Sequence, residues 1–333
     1  MQDQQNHTPV QDPQPLVSFI IPCYQLPVQM LCECIDSVLA LSLHTNEREI
    51  IVIDDGSEIS PMNELMRYGD EILYIRQQNS GVSVARNTAL QIAKGKYIQF
   101  LDGDDLLIQT PYEHCINLIR NKQDIDLLMF DFTRTRQNTT TIYSDSLPTT
   151  GSDYMRNHNI QGAIWCCLFM RSIAGSLRFT PGIHYGEDEE FTPLLLLRAE
   201  QVIVTNAQAY YYRERSSSAV HQTDDVSKKK RLDDTREVIM NLNRIVDRLP
   251  QNDRLALQRR IAQLSMDYLY NTIMLTKSGK ILDERIEDLQ RQGLFPLPDR
   301  NYSKKYRWFR SMTNTVAGRT LLLHTLPLLK KER

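Results

Sequence analysis

Short apolar runs alternate with helix-like segments through the first hundred residues, and this alternation constrains the fold more than any other feature. The apolar runs are LVSFIIPCY, EIIVIDDGS, ILYIRQQ and YIQFL. Between them lie VQMLCECIDSVLAL, ISPMNELMRYG and SVARNTALQIAKG, whose spacing predicts helices, the last with Ser83 suited to cap its start. Runs that are apolar on both faces are typical of parallel strands buried between helices. We therefore predict an α/β fold with a mostly parallel, Rossmann-like sheet and flanking helices.

The pattern changes twice further along the chain. After about residue 111 it is mixed, with DIDLLMFDFTRT predicting a strand and AIWCCLFMRSI a buried segment. From about residue 224, long charged segments at helical spacing predict helices that end in a basic tail. We expect a disordered tail over residues 1–15, an α/β domain over residues 16–222 and a C-terminal helical region over residues 223–333.

Composition excludes several classes of function. The formal net charge of -2 gives no general attraction to nucleic acid, and no nucleic-acid partner is expected. The six cysteines form no C-x-x-C pair, which favours reduced thiols in a cytoplasmic protein over a sulfur-based metal site. The start of the chain lacks the features of a signal peptide, and TLLLHTLPLL is too short to cross a bilayer. We expect a protein that is soluble or attached to a membrane surface.

Carboxylates follow two of the predicted strands. Asp54 and Asp55 end one apolar run, and Asp102 and Asp104 follow another with Gly103 between them. Right-handed crossovers bring the carboxyl ends of parallel strands to one edge of a sheet, where such folds bind ligands. Two carboxylates there suit Mg²⁺ or Mn²⁺ completed by substrate phosphate oxygens. An acidic surface turn, or acids that cap the following helix, explains the same residues without a ligand.

Four motifs together resemble family 2 glycosyltransferases with the GT-A fold. They are VSFIIPCYQ, IIVIDDGS, NSGVSVARNTAL and YIQFLDGDD, and the resemblance covers roughly residues 16–222. It implies transfer of a sugar from a nucleotide-sugar donor, commonly a UDP-sugar, with inversion at the anomeric carbon. The implied acceptor is a hydroxyl of a glycan or a lipid-linked saccharide.

The resemblance also implies a donor site. Its members are Pro22, Tyr24, Asp54, Asp55, Arg86, Asp102, Arg213, Arg215 and Ser218. Asp104 is implied as the direct ligand of Mn²⁺ or Mg²⁺, with Asp102 contacting the ribose or the metal; Asp105 has no implied role. Simpler interpretations remain for others: a core aromatic for Tyr24, a helix-face salt bridge for Arg86 and a solvated loop for the YYYRERSSSAV segment.

The acidic stretch YGEDEEF matches the family's catalytic pair. Asp188 is implied as the general base that takes the proton of the acceptor hydroxyl, and Glu187 as the residue that orients it or binds the acceptor. Acids at a helix N-terminus would also interact favourably with the helix dipole. The helix can begin at these acids or at Pro193, with Thr192 as its cap, and the sequence leaves both open.

One segment departs from the family pattern. Where relatives often read W-x-K-L-F, this chain reads WCCLF, with Cys166 and Cys167 in the middle. Trp165 still offers an apolar platform for an acceptor sugar, but a polar partner is missing.

The basic tail and two other classes of function complete the predictions. Trp308 and Phe309 lie among Lys304, Lys305, Arg307 and Arg310, a pattern typical of peripheral contact with an anionic membrane, here at the inner face. The alternatives are a non-catalytic subunit that binds nucleotide-sugar and, because of FLDGDD, a phosphotransferase with a D-x-D nucleophile.

Overall fold

The computed structural model describes residues 14–122, 124–135, 142–215, 224–300 and 303–329. Its strands are β1 Val17–Cys23, β2 Arg48–Asp54, β3 Leu73–Arg76, β4 Tyr97–Phe100, β5 Leu106–Leu107, β6 Leu127–Thr133, β7 Cys167–Met170 and β8 Val202–Tyr211. Its α-helices are α1 Val28–Leu39, α2 Met62–Leu65, α3 Val82–Ile92, α4 Gln109–Asn121, α5 Gly151–Asn157, α6 Arg171–Ala174, α7 Glu187–Leu196, α8 Asp225–Val246, α9 Gln251–Thr276, α10 Gly279–Arg291, α11 Lys304–Thr313 and α12 Val316–Leu329. The chain is an α/β protein with a C-terminal helical region.

The strands form one sheet in the order β3-β2-β1-β4-β7-β6-β8-β5 within the described residues. The first four strands of this order run parallel, as the alternating pattern predicts. Strand β7 is antiparallel to both β4 and β6, and β5 is antiparallel to β8, so the second half of the sheet is mixed. The carboxyl ends of β1, β2 and β4 share one edge, and the acids that follow these strands are placed there.

Strand β1 shows why this sheet is buried on both faces. Phe19 and Ile20 are consecutive and fully buried, yet they belong to different hydrophobic clusters. Successive side chains of a strand point to opposite faces, so each cluster covers one face of the sheet. Cys34 of α1 and Tyr112 of α4 belong to the Phe19 cluster, whereas Ala85 of α3 belongs to the Ile20 cluster.

Two local predictions differ from the structure. The segment ISPMNELMRYG holds only the short helix α2 and a 3-10 helix over Met66–Glu71, because Gly69 takes a positive φ of 51° there. Helix α3 begins at Val82 after Gly81, so Ser83 lies inside the helix and donates to the carbonyl of Ile183 instead of capping the start. The helix start left open by the sequence is settled at Glu187, with Gly186 before it and Pro193 inside α7.

Helices α8 to α12 build the third hydrophobic cluster. Helix α9 lies against α8, and its side chains also reach the α/β half, where Ser152 of α5 donates to Asp253 at 2.6 Å. Leu257, Ile261 and Leu264 of α9 are buried in this third cluster. The boundary proposed at residues 222 and 223 lies outside the described residues, as do residues 1–13 of the tail predicted to be disordered over residues 1–15.

The basic tail folds as α11 and α12, which corrects its predicted surface patch. Phe309 is buried against Tyr270, and Arg310 pairs with Asp299 at 3.1 Å, so both are withdrawn from the patch. Trp308 remains 48% exposed beside exposed basic residues. Among the described residues no helix combines the length and apolar character needed to cross a membrane.

Candidate active site

A buried arginine joins three carboxylates that come from two distant parts of the sequence. Arg86 of α3 donates from Nη2 to Asp102 Oδ1 at 2.9 Å. Its Nη1 donates to Glu187 Oε1 at 2.9 Å and to Asp188 Oδ1 at 2.8 Å. The arginine is only 2% exposed. It therefore connects the D-x-D segment after β4 with the predicted catalytic pair at the start of α7.

One guanidinium cannot neutralise three carboxylates, and the pKa values reflect this. Burial raises the pKa of Asp188 to about 8, Glu187 and Asp102 add to the rise, and Arg86 opposes it. Burial also raises the pKa of Glu187, again against the effect of Arg86. A carboxylate with a raised pKa is a stronger base than an ordinary aspartate, which suits proton removal from a hydroxyl.

The D-x-D turn is packed tightly against β1. A Cβ atom added to Gly103 would lie 3.1 Å from the carbonyl oxygen of Pro22 and 3.1 Å from Leu26 Cδ2. Close backbone approach therefore favours glycine here, instead of the unusual dihedral angles expected from the sequence. The approach also places Pro22, a buried residue of β1, directly beneath the turn.

Asp105, unassigned from the sequence, holds the turn in place. It is 2% exposed and accepts from the Tyr210 hydroxyl at 2.8 Å and from the backbone N–H of Arg213 at 2.7 Å. Burial raises its pKa to about 8, and Asp102 and Asp104 add to the rise. The hydroxyl of Tyr210 also accepts from the backbone N–H of Asp102 at 3.2 Å. These contacts support the structural interpretation of Asp105.

Asp104 faces the segment after β8. Its Oδ2 pairs with Arg215 Nη2 at 2.5 Å. Burial, followed by the charge of Asp102, raises the pKa of Asp104, and Arg215 opposes the rise. Two neighbouring carboxylates that repel each other, Asp102 paired with Arg86 and Asp104 with Arg215, fit Mg²⁺ or Mn²⁺ with donor phosphate oxygens and water completing the shell. No group of three or more His, Cys, Asp or Glu residues within the described ranges is placed to hold an ion alone.

The acids after β2 are engaged in hydrogen bonds. Asp54 is fully buried and accepts from the backbone N–H of Ser57 at 2.9 Å and from the Tyr74 hydroxyl at 2.8 Å. Asp55 accepts from Gln77 at 2.7 Å and from the backbone N–H of Gly81 at 2.8 Å, immediately before α3. Asp55 thus fits the helix-start alternative, and Asp54 is oriented at the sheet edge.

The remaining predicted site residues are distributed around this edge. Tyr24 follows β1 and is 52% exposed, so it is not a core aromatic. Arg213 pairs with Glu33 of α1 at 2.8 Å. Ser218 lies outside the described residues. Trp165 packs with its ring centroid 4.6 Å from that of Tyr210 and 5.7 Å from that of Tyr212.

Comparison with known proteins identifies the first half of the chain. The sequence model described as "Glycosyl transferase family 2" matches residues 18–175. This region belongs to glycosyltransferase family 2. The matched residues include the D-x-D turn and Arg86, whereas Glu187 and Asp188 follow the matched region.

Individual relatives and structures agree with the family. The uncharacterized glycosyltransferase RP339 of Rickettsia prowazekii is 36% identical over 116 residues, covering 35% of this chain. The chain spans 36% of that relative's length. S. aureus TarS 1-349 in complex with UDP-GlcNAc has a TM-score of 0.68 at 16% identity, covering 95% of this chain and 91% of that one. The mannosyltransferase PcManGT from Pyrobaculum calidifontis, in complex with GDP-Man and Mn²⁺, has a TM-score of 0.55 at 12% identity, covering 96% and 88%. These structures show that the fold of this chain is GT-A.

Sequence reasoning missed two residues that organise the site. Tyr210 contacts the turn through its hydroxyl, and its signal in the sequence is the tyrosine run AYYYRER before the two arginines. Glu189 pairs with Arg260 of α9 and so ties the acidic start of α7 to the C-terminal helices. The segment YGEDEEF contains Glu189, but nothing in the sequence indicates a partner on α9.

Proposed function

We propose that the chain transfers a sugar from a nucleoside-diphosphate sugar, in particular a UDP-sugar, to a hydroxyl of a glycan or lipid-linked acceptor, with inversion. The observation that carries the proposal is the Arg86 cluster, which joins Asp102 of the donor edge to Asp188 and Glu187. The sugar of the donor and the hydroxyl of the acceptor react at a place where the edge that binds the diphosphate lies next to a general base. Asp188 and Asp102 contact the same guanidinium, so they lie on either side of one side chain.

In this mechanism Asp188 is the general base. It takes the proton of the acceptor hydroxyl while that oxygen attacks the anomeric carbon from the side opposite the diphosphate, whose bond to the sugar breaks. Arg86 orients the carboxylate of Asp188 through Oδ1. Glu187 is held by the same arginine and acts as a second orienting contact or contacts the acceptor.

At the donor edge, Asp104 and Asp102 would hold Mg²⁺ or Mn²⁺, which neutralises charge on the departing diphosphate. Arg215 lies three residues before Ser218 in the sequence, and its side chain pairs with Asp104. Its fork matches phosphate oxygens as well as carboxylate oxygens. We propose that Arg215 leaves Asp104 and binds the diphosphate when the donor binds. Tyr24 and Asp54 border the nucleotide base and the ribose of the donor. TarS with UDP-GlcNAc and PcManGT with GDP-Man support a nucleotide-sugar here.

The proposal is tested by release of UDP from UDP-sugars, beginning with UDP-GlcNAc, with and without Mn²⁺ and with a panel of saccharide acceptors. A glycosyltransferase releases UDP slowly from one donor, faster when an acceptor is present, and loses both in Asp104→Ala. A subunit that only binds donor would show a thermal shift with UDP-sugar but no turnover. A phosphotransferase would cleave simple phosphomonoesters, and either result would contradict the proposal.

We also propose peripheral contact with the cytoplasmic face of an anionic membrane through α11. Exposed Trp308 lies on the same helix as the exposed residues Lys304, Lys305 and Arg307, which together combine an interfacial aromatic with positive charge. Flotation of the full chain with phosphatidylglycerol vesicles is expected to fall in Trp308→Ser and in a Lys304→Gln, Lys305→Gln variant. Equal, negligible flotation by all three proteins would contradict the contact.

A further inference from the structure

The loop that leads into α7 is held by helices on two sides. On one side, Ser83 of α3 donates its hydroxyl to the carbonyl of Ile183 at 3.2 Å. On the other side, Asp234 of α8 accepts from the backbone N–H groups of His184 at 2.9 Å and of Tyr185 at 3.1 Å. The loop is therefore fixed between a helix of the α/β half and a helix of the C-terminal region.

One turn of α8 supplies the contacts on the second side. Lys230 of α8 donates to the carbonyl of Gly182 at 2.8 Å and to Asp234 Oδ1 at 2.5 Å. The guanidinium carbon of Arg231 lies 5.1 Å from the centroid of the Tyr185 ring. Positions three and four residues apart lie on the same face of a helix, so these three side chains of α8 reach the loop together. The backbone of the loop and one of its rings are thus bound to a single turn.

Asp234 is a buried carboxylate whose hydrogen bonds are directed at the loop. It is 4% exposed, and its Oδ2 accepts both N–H groups of the loop while Oδ1 accepts from Lys230. Hydrogen bonds from backbone N–H groups to a carboxylate are about twice as strong as neutral ones. The adjacent Asp233 has a different role, since its half-exposed side chain pairs with Arg285 of α10 at 2.8 Å. Of two neighbouring aspartates, one holds the loop and the other joins two C-terminal helices.

The loop is followed directly by the pair proposed for catalysis. Gly186 takes a positive φ of 82°, and α7 begins at Glu187. Asp188 follows Tyr185 by three residues, which span at most about 11 Å. A shift of the loop therefore moves the start of α7, where Asp188 accepts from Arg86 of α3 at 2.8 Å. A displacement of about 1 Å at a reacting group can lower a rate by about 10²-fold.

From these contacts we propose that Asp234 is a positioning residue for the transfer reaction, which holds the loop so that Asp188 keeps its place against Arg86 and toward the acceptor hydroxyl. The inference rests on the proposed function, because its effect on the rate acts through the general base. Asp234 takes no part in the proton transfer itself. Helix α8 then belongs to the catalytic unit, although the match to the family ends at residue 175.

A double-mutant cycle on the full chain tests the proposal, with the rate of transfer from UDP-sugar to a saccharide acceptor expressed per UDP-binding site. Asp234→Ala is expected to lower kcat about tenfold or more, because the base is displaced. UDP affinity is expected to be unchanged, since the contacts of Asp234 are with the loop and with α8. In the Asp188→Asn background the same substitution is expected to change the residual rate by less than about twofold, because the base that it positions is already gone.

Two further variants separate positioning from general stability. Asp233→Ala is the matched control on the same helix, and it is expected to keep the rate within about twofold because it removes only a partly exposed pair with α10. Asp234→Asn keeps an oxygen that can accept both N–H groups of the loop, and it is expected to recover most of the lost rate.

Hydrogen exchange of the amides of His184 and Tyr185 tests the loop contact without any transfer activity. Exchange is expected to be faster in Asp234→Ala than in wild type and unchanged in Asp233→Ala. If Asp234→Ala does not fold, Lys230→Gln takes its place in the cycle, because it removes the contact with the loop carbonyl. Its loss of rate is expected to be smaller and to disappear in the Asp188→Asn background in the same way.

An equal loss of rate in the wild-type and Asp188→Asn backgrounds overturns the positioning role, because it would reflect a general defect. Unchanged amide exchange in Asp234→Ala overturns it as well. Absence of transfer by the wild type would overturn the proposed function, whereas an active wild type whose rate does not depend on Asp234 overturns the positioning role alone.

Discussion

Two arginines contact the D-x-D turn, and they differ in every property that decides a role. Arg86 lies on a regular helix, is almost fully buried and contacts three carboxylates, with the rings of Phe100 and Phe179 at 5.6 and 5.3 Å from its guanidinium carbon. Arg215 follows the end of β8, is partly exposed and pairs with one carboxylate, Asp104. We infer that the first arginine is a fixed part of the site and that the second exchanges its partner when donor binds.

This difference separates positioning from binding. A buried charge network keeps its geometry because breaking any contact leaves another charge unpaired in a poor solvent. A partly exposed pair is weak and exchanges with little loss. We therefore assign Arg86 to the orientation of Asp188 and Arg215 to the donor diphosphate, although the sequence alone had placed both near the nucleotide.

The largest expected effect is on stability. Arg86→Met leaves three acids without their shared cation and is expected to lower the free energy of unfolding by about 3–5 kcal/mol. Arg215→Met removes one partly exposed pair and should cost less than about 1 kcal/mol. Urea denaturation of both variants measures the contrast. Equal losses in the two variants would remove the distinction between a fixed and an exchangeable arginine.

The next effect concerns pH. Asp188 must be ionised to act as a base, and its raised pKa of about 8 predicts a rate that rises with pH through this value and falls about tenfold per unit well below it. The free energy of unfolding changes with pH in the opposite direction to the rate. Above pH 4 the unfolded chain releases the protons of Asp188 and Asp105, whereas the folded protein retains them because their pKa values are raised to about 8. The free energy of unfolding therefore falls as pH rises from 4 toward 8. Rate profiles and thermal unfolding between pH 5 and 9 check both directions.

A smaller effect is expected in donor affinity. Arg215→Gln removes a charged fork from the diphosphate and should weaken UDP binding in the presence of Mn²⁺ by about tenfold, or about 1.4 kcal/mol. Arg213→Gln is the comparison variant, because Arg213 is held by Glu33 and should change UDP affinity less. Calorimetric titration with UDP gives both values. Unchanged affinity in Arg215→Gln would contradict the exchange of partners.

The sequence predicts the sheet edge well but not the contacts across it. Strands β1 to β4 are readable because each is a local apolar run, and handedness rules then bring Asp54 and Asp102 to one edge. The contact of Arg86 with Asp188 joins positions 102 residues apart, and the bond from Tyr210 to Asp105 joins positions 105 residues apart. No local pattern encodes such pairs. The helix of Glu187 was likewise ambiguous, because acids suit both a loop before a helix and its first turn.

The central claim is that Asp188 is the base, and Asp105 provides the matched control. Both are buried aspartates whose pKa is raised to about 8, but Asp105 accepts hydrogen bonds from Tyr210 of β8 and from the backbone N–H of Arg213 instead of from Arg86. The decisive measurement is the transfer rate of Asp188→Asn and Asp105→Asn with saturating UDP-sugar and acceptor, together with UDP affinity. We predict a loss of about 10²-fold or more in Asp188→Asn with UDP affinity retained, and a much smaller loss in Asp105→Asn. Near-normal transfer by folded Asp188→Asn would contradict the account.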